Sequence, residues 1–203
     1  MRILETALGL ALCLCIFLAA LQLPVASASA QLSDSTVRLH VLANSDSEWD
    51  QQLKLAVRDA VLCEMQSLAD AASKEEALYT LACALPQLQQ TAAETLQAAG
   101  CPQEVRVQLC EMWFATRHYG EATLPAGRYT ALRVELGEAK GQNWWCVLYP
   151  ALCLPAASER EALQSADAAW SEEEQQLVFG EGYELRFWLQ EWLQRLAGQH
   201  REN

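Results

Sequence analysis

Hydrophobic positions along this chain repeat with two different periods, and the switches between them mark out its elements. Val37, Leu39 and Val41 alternate with Arg38 and His40, the pattern of a half-buried strand running from Thr36 to Ala43. Asn44-Ser45-Asp46-Ser47 stops it, and from Glu48 onward Leu53, Val57, Val61 and Met65 recur four apart. That spacing predicts a helix to about Asp70, its first amides capped by one of the preceding polar side chains. Ser73 and Glu76 occupy capping-box positions ahead of Ala77, Leu78, Leu81 and Leu85, which marks a second helix. A break or kink is expected at Pro86, followed by helix to Ala99 and a stop at Gly100.

Period two then returns in Glu104 to Phe114 and in Tyr129 to Leu136, and Trp144 to Tyr149 is a third apolar run, ended by Pro150. Between the first two, Gly120 to Gly127 carries Pro125-Ala126-Gly127 and reads as a turn or loop. Gly137 to Gly141 forms the next loop. Residues 155 to 180 read as loop with one or two short helices, Ser171 and Glu174 again having capping-box spacing. Leu185, Trp188, Leu189, Trp192, Leu193 and Leu196 recur at helical spacing, so a terminal amphipathic helix docks its stripe against the core or a partner. The resulting fold class is α+β: one domain in β-α-α-β-β-β order, a mostly antiparallel sheet of about four strands, two long helices on one face, and the C-terminal helix.

The N-terminus changes where this domain is expected to work. Arg2 precedes a nearly unbroken apolar run from Ala7 to Leu23, then Pro24 and Ala26-Ser27-Ala28-Ser29-Ala30. This is the layout of a secretory leader, with cleavage after Ala28 or, preferably, Ala30; the alternative is an uncleaved anchor. The division is therefore 1–30 leader and 31–200 a single extracytoplasmic domain. The formal net charge is −12, and the leader contributes only Arg2 and Glu5, so the remainder is equally acidic. Such a chain excludes nucleic acid as an obvious partner. Repulsion from anionic headgroups favours a diffusible protein with no stable membrane association once the leader is gone.

Of the eight cysteines, Cys13 and Cys15 lie in the leader. Cys63, Cys83, Cys101, Cys110, Cys146 and Cys153 remain, and outside the cytoplasm they can form disulfides. Cys63 with Cys83 and Cys101 with Cys110 are conceivable pairs, but connectivity is not readable from spacing. Cys146 and Cys153 bracket Pro150, which favours a turn that would bridge them; two separate buried thiols is the other reading. A thiol hydrolase acting on cell-wall peptides would instead need Cys146 reduced beside His40 or His118. There is no CxxC, HExxH, GxSxG, SxxK or phosphate-binding glycine loop, so neither a metal, a cofactor nor a catalytic residue is assigned. Asp46, Glu48 and Asp50 could do acid–base work, but caps and dipole partners of a helix start have the same composition. Arg58 and Asp59 read as a surface ion pair or as solvated charges. Trp144 and Trp145 point to opposite faces of an extended strand, so one can enter the core while the other is presented as an anchor.

Two separated motifs resemble one family. Arg38-Leu39-His40-Val41-Leu42-Ala43-Asn44-Ser45-Asp46-Ser47, with Asp50-Gln51, Lys54 and Val57-Arg58-Asp59-Ala60-Val61, is similar to the opening signature of the stage II sporulation protein R family. Pro125-Ala126-Gly127, Tyr129, Leu136-Gly137, Gly141 and Asn143-Trp144-Trp145-Cys146-Val147-Leu148-Tyr149-Pro150, with Leu152-Cys153, resembles its second. The resemblance implies a protein exported into the space between forespore and mother cell. There it would act as a non-catalytic signal that triggers a membrane-embedded aspartic protease to process pro-sigma-E. Asn44, Ser45, Asp46, Arg58, Asp59, Asn143, Trp144 and Trp145 are the family-motif residues held as candidates for partner contact. The chain departs from the family in its acidity and in four additional cysteines outside the leader.

Overall fold

Three serines start three helices, each by accepting a hydrogen bond from the amide three residues on. Ser47 caps α2 (Glu48–Glu64), Ser73 caps α3 (Lys74–Ala98), and Ser171 caps α4 (Glu172–Phe179). In α4 the capping box is complete, because the Glu174 carboxylate returns to the Ser171 amide. These contacts come from a computed structural model that describes residues 2–66, 70–153, 165–180, 183, 187–189 and 191–192. The other elements are α1 (Arg2–Ser35), β1 (Val37–Leu42), β2 (Val105–Phe114), β3 (Arg117–Tyr119), β4 (Ala122–Leu124), β5 (Gly127–Leu136) and β6 (Asn143–Tyr149).

The main sheet has the order β2-β5-β1-β6, with β1 parallel to β5 and the other two pairings antiparallel. The fold is thus α+β with a mostly antiparallel four-stranded sheet, and β1 lies inside it. Val37, Leu39 and Val41 point towards α2 and α3, where they meet Leu53, Val57 and Val61 of α2 and Leu81, Leu88 and Leu96 of α3. Each such side chain removed from water contributes about 1.5–3 kcal/mol before the entropy of ordering it is set against the gain.

The two long helices thus share one face, as expected, and the opposite face is covered by further elements. The end of α1, α4 and the β3–β4 hairpin supply Val25, Leu32, Leu124, Leu177 and Val178 against Phe114, Tyr129, Ala131 and Val147 of the sheet. For the same reason β1 is not half-buried. Arg38 and His40, its polar alternates, are 0% and 1% exposed. Alternation separated the two faces correctly but did not reveal that both are dry.

Other boundaries also move. Helix α3 runs through Pro86 without ending; the residue is exposed, on the outer surface of the helix. Ala99 caps α3, and Gly100 follows at φ +72° with its amide on Gln97 O. Helix α2 stops at Glu64, short of Asp70. The predicted 120–127 loop contains β4, which pairs with β3 in a small separate hairpin. Residues 165–169 and α4 supply the short helices expected before residue 180. Most of the terminal helix, including Leu185, Leu193 and Leu196, lies outside the described residues. Of its described members Leu189 is half-buried, Trp188 and Trp192 are exposed, and the buried residue is Phe187, off the predicted stripe. Among the described residues no helix is long and apolar enough to cross a membrane.

Candidate functional site

The turn that leaves β1 is built as a polar clasp around Asp50. This buried carboxylate accepts from Asn44 Nδ2 at 2.9 Å and Ser45 Oγ at 2.5 Å through Oδ2, and from Gln103 Nε2 at 3.1 Å through Oδ1. Its own amide donates to the cap, Ser47 Oγ, at 3.1 Å. The Ser45 hydroxyl, aided by Asn44, Gln103 and Ser47, holds the Asp50 carboxyl below the usual carboxylate range against the opposing push of burial. A carboxylate that accepts three side-chain hydrogen bonds in this way is held as a structural anion.

The same turn grips the β5–β6 loop, which carries the second motif. Asn44 Oδ1 accepts from the Glu138 amide at 2.9 Å, Asp46 Oδ1 from the Gln142 amide at 2.7 Å, and Ala43 O from the Gly141 amide at 2.9 Å. Gly137 sits at φ +56°, and a Cβ there would overlap the Asn44 side chain; at Gly141 it would overlap the Ser45 carbonyl. Gln51 donates to Ser45 O at 2.9 Å, and Lys54 Nζ bridges Gln51 Oε1 at 2.7 Å and Gln142 O at 3.1 Å. The two motifs, distant in sequence, therefore form one joint. Gln103 belongs to neither motif and has no sequence signal; Gly137 and Gly141 had one, since glycines at both ends of a short loop mark close approach or positive φ.

Strand β6 emerges from this joint and sends its aromatics to opposite faces. Trp144 packs half-buried against the helix-side core with the Arg58 guanidinium 4.8 Å from its ring centroid. Arg58 is in turn paired with exposed Asp59 at 2.7 Å. Trp145, also half-buried, stacks on His40 at 3.8 Å between centroids and receives Phe114 edge-on at 4.9 Å. Asn143 is exposed, yet its Oδ1 lies 2.8 Å from His40 Nε2. Neither indole is wholly in the core or wholly presented. Trp49, in the first turn of α2, is exposed and was not singled out from sequence.

Beneath Trp145 lies a buried cation. The Arg38 guanidinium sits 4.0 Å from the Phe114 ring centroid and 4.9 Å from that of Tyr129, and donates to Tyr119 Oη. Among the described residues its Nε and Nη1 have no hydrogen-bond partner, so aromatic faces carry much of the compensation for its burial. His40 is pushed down to about 4, chiefly by burial and further by Arg133 and Arg38, with the Asn143 contact working the other way. At neutral pH it is an uncharged ring.

Cys146 and Cys153 are joined in a disulfide with Cα atoms 6.2 Å apart, and the Val147 amide donates to Cys153 Sγ at 3.3 Å. Cys146 pairs in register with Leu39 and faces the helix layer, whereas His40 faces the other side of the sheet. His118 is in the exposed hairpin strand β3, bonded to Thr123. The thiol–imidazole pair that a hydrolase would need is therefore not formed by Cys146 with either histidine. Cys63, Cys83, Cys101 and Cys110 are free. Among the described residues no group of three or more His, Cys, Asp or Glu side chains could hold a metal ion.

The family described as stage II sporulation protein R matches residues 33–159. A curated protein named stage II sporulation protein R, from Bacillus subtilis (strain 168), is 36% identical over 185 residues, covering 81% of this chain and 83% of that one. No solved structure matches the chain.

Proposed function

The chain belongs to the stage II sporulation protein R family, and from that premise we propose that it is an exported, non-catalytic signal of sporulation. It activates a membrane-embedded aspartic protease that processes pro-sigma-E, from the space between forespore and mother cell. The observation that carries this reading is the use to which the motif residues are put. Asn44, Ser45, Asp46 and Asp50 spend their polar atoms fixing the β5–β6 loop and the start of β6, and Cys146 is consumed in a bridge. Such a site is suited to presenting a surface.

Trp144 and the Arg58–Asp59 pair form that surface on the helix side of β6, an indole under a guanidinium, while Asn143 is exposed towards the opposite face beside His40. Large rigid side chains of this kind lose little entropy on contact and serve as anchors. Activation then follows from differential affinity. The signal shifts its receptor only by binding the active arrangement more tightly than the inactive one.

Reconstitution tests this directly. Receptor and pro-sigma-E are combined in vesicles with and without the purified chain, and removal of the pro-sequence is followed on gels. Cleavage is expected to depend on added chain and to saturate with it. Equal cleavage in its absence would remove the proposal.

A further inference from the structure

Helix α1 does not stop at the junction where a leader would be cut. It is helical from Arg2 through Pro24 and the Ala26 to Ala30 series to Ser35, and only Thr36 separates it from β1. Val25, Ala28, Ser29 and Leu32 form one stripe along the helix at spacings of three and four, and they are 3%, 8%, 6% and 0% exposed. The apolar members lie in the same cluster as Tyr129 of β5, Leu177 and Val178 of α4, and Phe187.

Polar contacts fasten the same end. Lys74 Nζ donates to Ser33 O at 3.3 Å, Ser35 Oγ to Glu174 Oε1 at 2.7 Å, and Trp170 Nε1 to Thr36 Oγ1 at 3.2 Å. Glu174 is itself buried and locked by its capping box. Upstream, Leu4, Leu8, Leu10, Leu12 and Ile16 are exposed, whereas the last turns of the helix are part of the domain.

We propose that folding of the domain seals the leader junction. A peptidase that cuts after small residues adds water across the Ala28–Ser29 or Ala30–Gln31 amide, leaving a new carboxylate and a new amine, and it must hold that backbone extended to do so. In the folded chain the backbone is helical there, with Ala28 and Ser29 against the core. Cleavage therefore belongs to the unfolded chain. A molecule that folds first keeps residues 1–30, joined to the domain by a continuous helix. One sequence thus partitions between a trimmed and an untrimmed form according to which event comes first. This rests on residues 1–30 being a leader.

The full chain in detergent micelles, digested with elastase and mapped by mass spectrometry, provides the test. Leu132→Asp, in the core and remote in sequence from the helix, removes the fold while leaving the junction unaltered; Leu177→Ala loosens only the surface that receives α1. Bonds between residues 26 and 31 are expected to be cut at least about tenfold more slowly in the wild-type chain than in Leu132→Asp, because cleavage follows the open population. Leu177→Ala should fall between them while still melting cooperatively. Equal rates in wild type and Leu132→Asp overturn the inference. Short-pulse labelling during export separates the premise: Leu132→Asp should lose residues 1–30 completely, and if it does not, the leader reading falls and the inference with it.

Discussion

His40 and Trp145 face each other across β1 and β6, with ring centroids 3.8 Å apart and planes inclined by 9°. The contact joins the centre of the first motif to the centre of the second. It also places a titratable ring at a dry position between two arginines, Arg38 and Arg133, that disfavour its protonation.

Stability is therefore expected to depend on pH through His40. The ring titrates near 6.5 when unfolded and near 4 when folded, so between these values the unfolded chain binds a proton that the folded chain refuses. Stability falls as pH drops through this window and is insensitive to His40 above it, the full difference being about 3 kcal/mol. Denaturant titrations from pH 7.5 to 4.5 measure the slope, and His40→Gln should flatten it. Asp50 acts lower: its depressed carboxyl contributes stability above 3.8 that is lost as pH falls towards its folded value. An unchanged slope in the glutamine variant would exclude His40 as the source.

Gly137→Ala should destabilise by about 2 kcal/mol or more, combining left-handed strain with overlap onto Asn44. The two parts are separable. Asn44→Gly removes the side chain that a Cβ would strike, so the alanine substitution should cost less in that background, with only the backbone part remaining. Additive costs in thermal melts of the four proteins would show that the Gly137–Asn44 contact does not limit the loop.

Asp50→Ala leaves Asn44, Ser45 and Gln103 without their shared acceptor in a partly buried turn, at a cost of about 1–3 kcal/mol. Asp50→Asn keeps the shape but replaces one acceptor by a donor that faces other donors, so it should recover little. Hydrogen exchange localises the effect. The amides of Glu138, Gly141 and Gln142, all bonded to the first motif, should lose protection before those at the centre of β5.

Much of this architecture was legible in the residues, for reasons that can be named. Period-two runs located β1, β2 and β5, and an unbroken apolar run located β6, because each has one face against α2 and α3, and Ser73 with Glu76 and Ser171 with Glu174 announced helix starts because local hydrogen bonds define them. What was not legible is long-range. Arg38 and His40 look like solvent-facing alternates until α1, α4 and the β3–β4 hairpin are folded over them. Likewise the Asn44 to Asp46 turn is recognisable as a cap, but nothing local says that Asn44 and Asp46 also reach the 138–142 backbone. The half-burial of both indoles depends on where Arg58 and His40 arrive from other elements.

Loss of the Cys146–Cys153 bridge should cost about 2.5 kcal/mol, the chain-entropy value for so short a loop. Cys146→Ser is the harsher variant because that position is 1% exposed and a hydroxyl would be buried there. Cys146→Ala paired with Cys153→Ala isolates the cross-link. Thiol counting on the oxidised unfolded chain should find these two cysteines unreactive until reductant is added; labelling of both without reductant would contradict the bridge.

The two tryptophans should separate stability from signalling. Trp145 touches His40, Phe114 and Arg117, so Trp145→Ala opens a cavity in the second face and should destabilise by about 3 kcal/mol. Trp144 is partly covered by the solvent-accessible Arg58 side chain, and Trp144→Ala should cost about 1–2 kcal/mol. If Trp144 is the anchor, its removal lowers receptor activation at least about tenfold at protein concentrations where the variant is fully folded. Trp145→Ala should retain activation per folded molecule once its instability is allowed for. Arg58→Lys gives a further discrimination, because a flexible ammonium cannot lie flat over the indole as a guanidinium does. It should shift the concentration needed for half-maximal cleavage without lowering the plateau, whereas a residue that only supported the fold would lower both melting temperature and plateau together.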